Sequence, residues 1–242
     1  ETPLSRIEPI VGPKVFMVEG FWDQWGNQSN NHLLETGEIS NGEDFKIKSD
    51  ETWLGLFGKN DEYFLRSTKI RVRQTDKSDR SWKEISVKEK EQPLFLVKNL
   101  KNVRAGKVKT IFRGYTWNEV DEDEKETTTM GKGFSREFKL GEKNYTLRVE
   151  EGVNEKKEPI LVLLLENGKD SQIVHYIDYS GEGDYVGSLF WAGDLDSDGK
   201  LDLFMDFWNY EKGSYSSGLF LSSEAERGKL VKRFDFFALA GC

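Results

Sequence analysis

The run Trp191-Ala-Gly-Asp-Leu-Asp-Ser-Asp-Gly-Lys-Leu-Asp-Leu-Phe-Met-Asp-Phe-Trp208 carries both the most specific pattern in the chain and its clearest strand. Leu201, Leu203, Met205 and Phe207 fall on one side of a period-two alternation, and Asp202 and Asp206 fall on the other. Successive side chains of an extended backbone point to opposite faces, so this period predicts a strand. Upstream, Tyr185-Val-Gly-Ser-Leu-Phe-Trp191 is rich in residues that pack well on a pleated surface and also reads as extended. Two strands joined by a short acidic connection are the expectation.

In that connection Asp194, Asp196, Asp198 and Asp202 stand at loop positions 1, 3, 5 and 9, with Gly199 at position 6. Ca²⁺ is a hard cation that takes about six to eight oxygens, so it needs short acidic side chains and a backbone carbonyl folded round one point. The three earlier aspartates supply one edge, Lys200 would present its carbonyl at position 7, Asp202 closes the far side, and Gly199 permits the turn. Four carboxylates this close repel one another, and without a cation the spacing opposes folding. The alternative is an acidic hairpin tip that only solvates the surface. In a helix–loop–helix calcium hand, position 12 is a bidentate Glu and a helix follows. Here position 12 is Met205 inside a strand pattern, so the loop is expected to join strand to strand.

On these residues, 191–204 resemble the calcium loops of FG-GAP and VCBS-type repeats. The resemblance implies a loop between adjacent strands, which in that family belong to extracellular β-propeller blades. It implies Ca²⁺ ligation by Asp194, Asp196, Asp198, the Lys200 carbonyl and Asp202, and the carry-over extends to no other residue. The D-x-D-x-D-G pattern occurs once in the chain. With Kd of roughly 10⁻⁴–10⁻³ M, usual for extracellular modules, about 1 mM Ca²⁺ would stabilise the fold by on the order of 0.4–1.4 kcal/mol. That is the scale of a structural clip.

Composition agrees with sheets. Aromatic residues reach 13% of the 242, with 16 Phe, 8 Tyr and 7 Trp, and no long segment has the apolar stripe of a helix. No run of about 18 apolar residues is present to span a membrane as a helix. The chain starts at Glu1, which leads to the expectation of a removed secretion signal; the low calcium affinity of such loops likewise fits an extracytoplasmic site, secreted, periplasmic or at the cell surface. The single Cys242 rules out an intrachain disulfide, and a lipid anchor is left undetermined.

The fold class expected is all-β, built as antiparallel meander sheets: a sandwich or propeller-like four-stranded sheets, with two β subdomains as one division. Short strand candidates in the first half are Lys14–Val18, Thr52–Phe57, Tyr63–Arg66, Lys69–Arg73, Pro93–Val97 and Val108–Phe112. The acidic run Asn118–Glu126 and the threonines after it suggest a solvated loop or linker. The division follows: an N-terminal β domain over 1–117, a linker over 118–132, and a C-terminal meander with the calcium loop over 133–242. In the last part, Asn167-Gly168 separates Ile160–Leu165 from Gln172–Ile177 and signals a tight hairpin. Ile160–Leu165 is apolar without alternation, so it should be a central strand covered on both faces. Eight consecutive strands are expected in this half.

Net charge is −8, yet Arg66–Lys109 holds fourteen Lys/Arg against five Asp/Glu. A basic stripe can attract nucleic acid or acidic polysaccharide; the favoured reading is solvated strand faces and edges, where lysines discourage sheet-to-sheet aggregation. The overall acidity argues against nucleic acid as a partner, leaving a protein or glycan. Trp22 and Trp25 sit among amides in Phe21–His32, the mixture of flat rings and hydrogen-bonding groups that sugar binding uses, so they are the candidate ligand-binding residues of a carbohydrate-binding module. The alternative places both rings in the core. His32 and His175 are the two histidines; His175 shares a face with Ile173 and Ile177 and reads as a core residue. No nucleophile elbow, phosphate loop, dinucleotide fingerprint or Cys/His metal spacing is present, so the expectation is a non-enzyme, with a glycan or phosphoester hydrolase using scattered carboxylates as the rival.

Overall fold

A computed structural model describes residues 14–16, 32–40, 47–59, 61–77, 80–101, 103–114, 128–178, 185–209 and 214–239. Regular structure among them is all strand. In chain order the strands are β1 (Leu33–Leu34), β2 (Gly37–Ser40), β3 (Thr52–Lys59), β4 (Glu62–Lys77), β5 (Arg80–Val87), β6 (Leu96–Val97), β7 (Gly106–Arg113) and β8 (Thr129–Gly131). There follow β9 (Ser135–Leu140), β10 (Lys143–Val153), β11 (Pro159–Asn167), β12 (Asp170–Asp178), β13 (Tyr185–Asp194), β14 (Asp202–Asn209), β15 (Ser214–Leu221) and β16 (Lys232–Leu239). The protein is all-β, and among the described residues no helix is long and apolar enough to cross a membrane.

Two sheets result. One is a four-stranded antiparallel meander in the order β12-β11-β10-β9. The other has twelve strands on the path β1-β6-β3-β4-β7-β13-β14-β15-β16, with β5 and β2 continuing from β4 and β8 beside β13. The ends of that path meet through side chains: Asp235 Oδ2 on β16 accepts the N–H groups of His32 at 2.7 Å and Leu33 at 3.2 Å. The His32 and Phe234 rings stack beside this joint with centroids 5.9 Å apart, and Ser217 of β15 donates to the Glu35 carboxylate. The larger sheet is therefore a nearly closed barrel.

Bulges explain how one strand serves several neighbours. β13 pairs with β14 along one edge, and along the other it meets β8 at Tyr185 and Ser188 and β7 from Trp191 to Asp194. A bulge between Leu189 and Trp191 shifts the register, so the consecutive residues Phe190 and Trp191 both enter the barrel core. Because β7 and β8 both pair with β13, a strand before the 118–132 stretch, one within it and one after it share one sheet. Residues 118–127 lie outside the described set, and 129–131 form β8.

Among the described residues three apolar clusters follow from the layering. The first fills the barrel with Trp53, Leu56, Phe57, Phe95, Phe190, Trp191, Phe204 and Phe237 among others. The second joins the meander to the outside of the barrel: Leu147, Leu161, Leu163 and Leu165 face Leu189, Leu203, Met205 and Phe207. β11 is covered on both faces as its continuous apolar run requires, with Ile160, Val162 and Leu164 under Phe16 on the far side. The eight strands expected after residue 133 are β9–β16, but they do not make two separate four-stranded sheets. β13–β16 merge into the barrel, because the free edge of β13 is taken by β7 and β8. Likewise Tyr63–Arg66 and Lys69–Arg73 belong to one 16-residue strand, β4, since Ser67 and Thr68 between them are compatible with extended backbone.

Candidate metal centre

The acidic connection spans the end of β13 and the start of β14, and it is anchored in two of these clusters. Leu195 is buried among the barrel residues and Leu201 among those between barrel and meander. Gly193 lets β13 approach β7 just before the loop: a Cβ there would lie 2.4 Å from the Lys109 carbonyl oxygen and 2.4 Å from the Trp191 ring. Between the anchors the loop turns on its own aspartates. Asp196 Oδ1 accepts the Asp198 N–H at 3.3 Å, Asp198 Oδ1 accepts the Lys200 N–H at 2.8 Å, and Asp194 Oδ2 accepts the Gly199 N–H at 3.0 Å. Gly199 takes φ of 75°, the left-handed conformation for which the sequence supplies glycine.

Three carboxylates converge. Asp194, Asp196 and Asp202 each place an oxygen within 4.8 Å of the others. At that separation two full charges repel by about 3–4 kcal/mol at an effective dielectric near 20. Asp202 is fully buried, yet both its oxygens are engaged: Oδ2 accepts the Leu195 N–H at 2.8 Å, and Oδ1 accepts the Ser222 N–H at 2.8 Å and the Ser222 hydroxyl at 3.0 Å. Burial pushes the Asp202 carboxyl up to about 7, the bonds from Ser222 and Leu195 pull the other way, and the Asp196 charge adds to the rise. Burial also raises Asp194, opposed by the Gly199 N–H and reinforced by Asp198 and Asp196. Asp194 is 8% exposed, and its Oδ1 is buried with no hydrogen-bond partner. A buried carboxylate oxygen left this way costs on the order of 1–3 kcal/mol or more unless a proton or cation meets it.

Asp198 stands apart from the three. Its oxygens both lie 3.2 Å from the Ser222 hydroxyl, and Oδ2 is 3.3 Å from the Lys200 ammonium. A serine hydroxyl has one proton, so it cannot donate to Asp198 and Asp202 at once. The carboxylate oxygens that do not receive that proton face hydroxyl lone pairs, a repulsive contact beside charges that already repel. Ser222 is the residue the sequence pattern left out. It follows the end of β15, and only the register that sets Leu203 opposite Phe220 brings it beside Asp202.

The meander contributes as well. Tyr145 on β10 is buried, hydrogen-bonds to the backbone of Leu201 and to the Asn167 side chain, and is raised by burial and by the nearby charges of Asp198 and Asp202. Lys143 Nζ donates to the Gly199 carbonyl at 3.4 Å. Chemically, the cluster is a group of carboxylate oxygens that could hold a metal ion. Trp22 and Trp25, the candidate sugar-binding residues, lie outside the described residues. His175, expected in the core, is there: it is 3% exposed and packs on Phe207 at 4.2 Å between ring centroids. Burial, assisted by the Arg233 charge, pulls its pKa down to about 3.

No family model, curated protein or solved structure matches this chain.

Proposed function

We propose that this is an exported calcium-binding β-protein in which Ca²⁺ is structural, sits in the β13–β14 connection, and serves a binding or structural module rather than an enzyme. The buried Asp194 Oδ1, without a hydrogen-bond partner beside the carboxylates of Asp196 and Asp202, is the observation that carries the reading. Asp194, Asp196 and Asp202 are the principal ligands in this proposal, with the Asp198 carboxylate and the Lys200 carbonyl as the further donors expected from loop spacing. Calcium is preferred to magnesium because Mg²⁺ demands a strict octahedron and keeps its waters, whereas Ca²⁺ accepts the irregular, multi-oxygen set a loop of this kind offers. Resemblance of 191–204 to FG-GAP-type loops, and the weak affinity usual for such sites, support an extracytoplasmic setting where calcium is plentiful.

Calorimetric titration of chelator-treated protein with Ca²⁺ and with Mg²⁺ tests the reading, with Asp196→Ala as the comparison. Asp196 is half-buried and accepts the Asp198 N–H within the loop, while the loop's anchors are Leu195 and Leu201, so its removal leaves them in place. The wild type is expected to bind Ca²⁺ with Kd of about 10⁻⁴–10⁻³ M and the variant at least tenfold more weakly. Identical titrations for the two proteins would overturn the site.

A further inference from the structure

Resting on the calcium reading above, we propose that the β13–β14 loop is also a latch: cation binding there fastens the four-stranded meander to the barrel. Three observations place the loop at this joint. Leu201, the loop's last residue before β14, is fully buried among residues of both sheets. Tyr145 reaches from β10 to the Leu201 backbone and is fixed from behind by Asn167, at the β11–β12 turn. Lys143, at the start of β10, donates to the Gly199 carbonyl at the loop tip.

Among the described residues, Gln172 makes a second polar attachment between the two sheets. Gln172 of β12 accepts the N–H groups of Leu230 and Val231 at 2.6 and 3.0 Å, and donates to the Val231 carbonyl at 2.8 Å. The two attachments differ in kind. The 230–231 segment lies outside the acidic loop, whereas residues 199–201 belong to a connection whose conformation is set by Asp194, Asp196, Asp198 and Asp202. With the carboxylates repelling one another, the loop resists the closed turn that presents Gly199 and Leu201 to the meander; with a cation among them, that turn is favoured. Each site then biases the other by the same factor, as linkage requires. A cation bound only to the latched form suppresses undocking by 1 + [L]/Kd, about tenfold at ten times Kd.

The experiment is amide hydrogen exchange read by mass spectrometry on the whole chain, chelator-treated and then at a Ca²⁺ concentration ten times the calorimetric Kd. Exchange in peptides from β9–β12 is expected to slow about tenfold, and exchange in peptides from β3–β5, on the far part of the barrel, to change less than twofold. Tyr145→Phe keeps the ring and deletes the hydroxyl. It is expected to weaken Ca²⁺ binding in calorimetry and to shrink the calcium-dependent protection of β9–β12 by the same factor. Calcium binding that protects β9–β12 no more than β3–β5 overturns the latch and leaves the metal site standing. Absence of any Ca²⁺ binding takes down the metal reading and the latch together.

Discussion

The Ser222 hydroxyl holds a single proton between two carboxylates, and its backbone N–H serves one of them as well. This makes Ser222 the organiser of the acidic loop from outside the loop. Ser222→Ala keeps the N–H bond to Asp202 but deletes the hydroxyl's donation to a buried carboxylate. The expected cost is about 1–2 kcal/mol in urea denaturation, together with a severalfold rise in the Kd for Ca²⁺. An unchanged midpoint would mean that the backbone N–H alone holds Asp202. At this scale the loop spacing groups Asp194, Asp196, Asp198 and Asp202, and three of these carboxylates converge in the fold. The spacing placed Asp198 beside them equally; what no local pattern encodes is Ser222 as the neighbour of Asp198 and Asp202, since that meeting depends on the long-range register between β14 and β15.

Among the elements, β10 and β11 carry the clearest electrostatic prediction. Arg148 forks onto Glu166, Nε to Oε2 and Nη2 to Oε1, both at 3.0 Å, and it also pairs with Glu150. The hydrogen bonds from Arg148 lower the Glu166 pKa from its ordinary 4.5, with partial burial opposing. A depressed carboxylate stabilises the fold above its unfolded value and loses that contribution as pH falls through the folded one. Arg148→Met is therefore expected to cost about 1 kcal/mol at pH 7, a modest figure because both side chains are partly solvated. The gap from wild type should close as pH falls well below 4.5, read from urea midpoints at pH 7 and pH 3. A gap that persisted in acid would assign the effect to packing of the arginine stem. Element identity itself was largely legible: alternation marked β14, Asn167-Gly168 signalled the β11–β12 hairpin although the turn residues are Gly168 and Lys169, with Asn167 paired to Asp170 as the end of β11, and the continuous apolar run marked β11 as doubly covered. The short strands β1 and β2 were not legible, since they owe their extension to partners far along the chain, β6 and β5.

For the whole molecule, the informative joint is the one between β16 and β1. Asp235→Ala would leave the buried Leu33 N–H and the neighbouring His32 N–H without their acceptor. That is expected to destabilise by about 2–4 kcal/mol in urea denaturation, and Asp235→Asn, which retains an acceptor oxygen, to recover most of the loss. Equal losses for the two variants would show that charge, and not acceptance, closes the ring. Because the two halves of this joint are separated by 203 positions, the barrel interior cannot be sealed until the last strand exists. A chain that forms its strands in order would hold Leu33 and Leu34 without their final cover until β16 is made, so closure of this ring is a long-range event of the kind that slows folding.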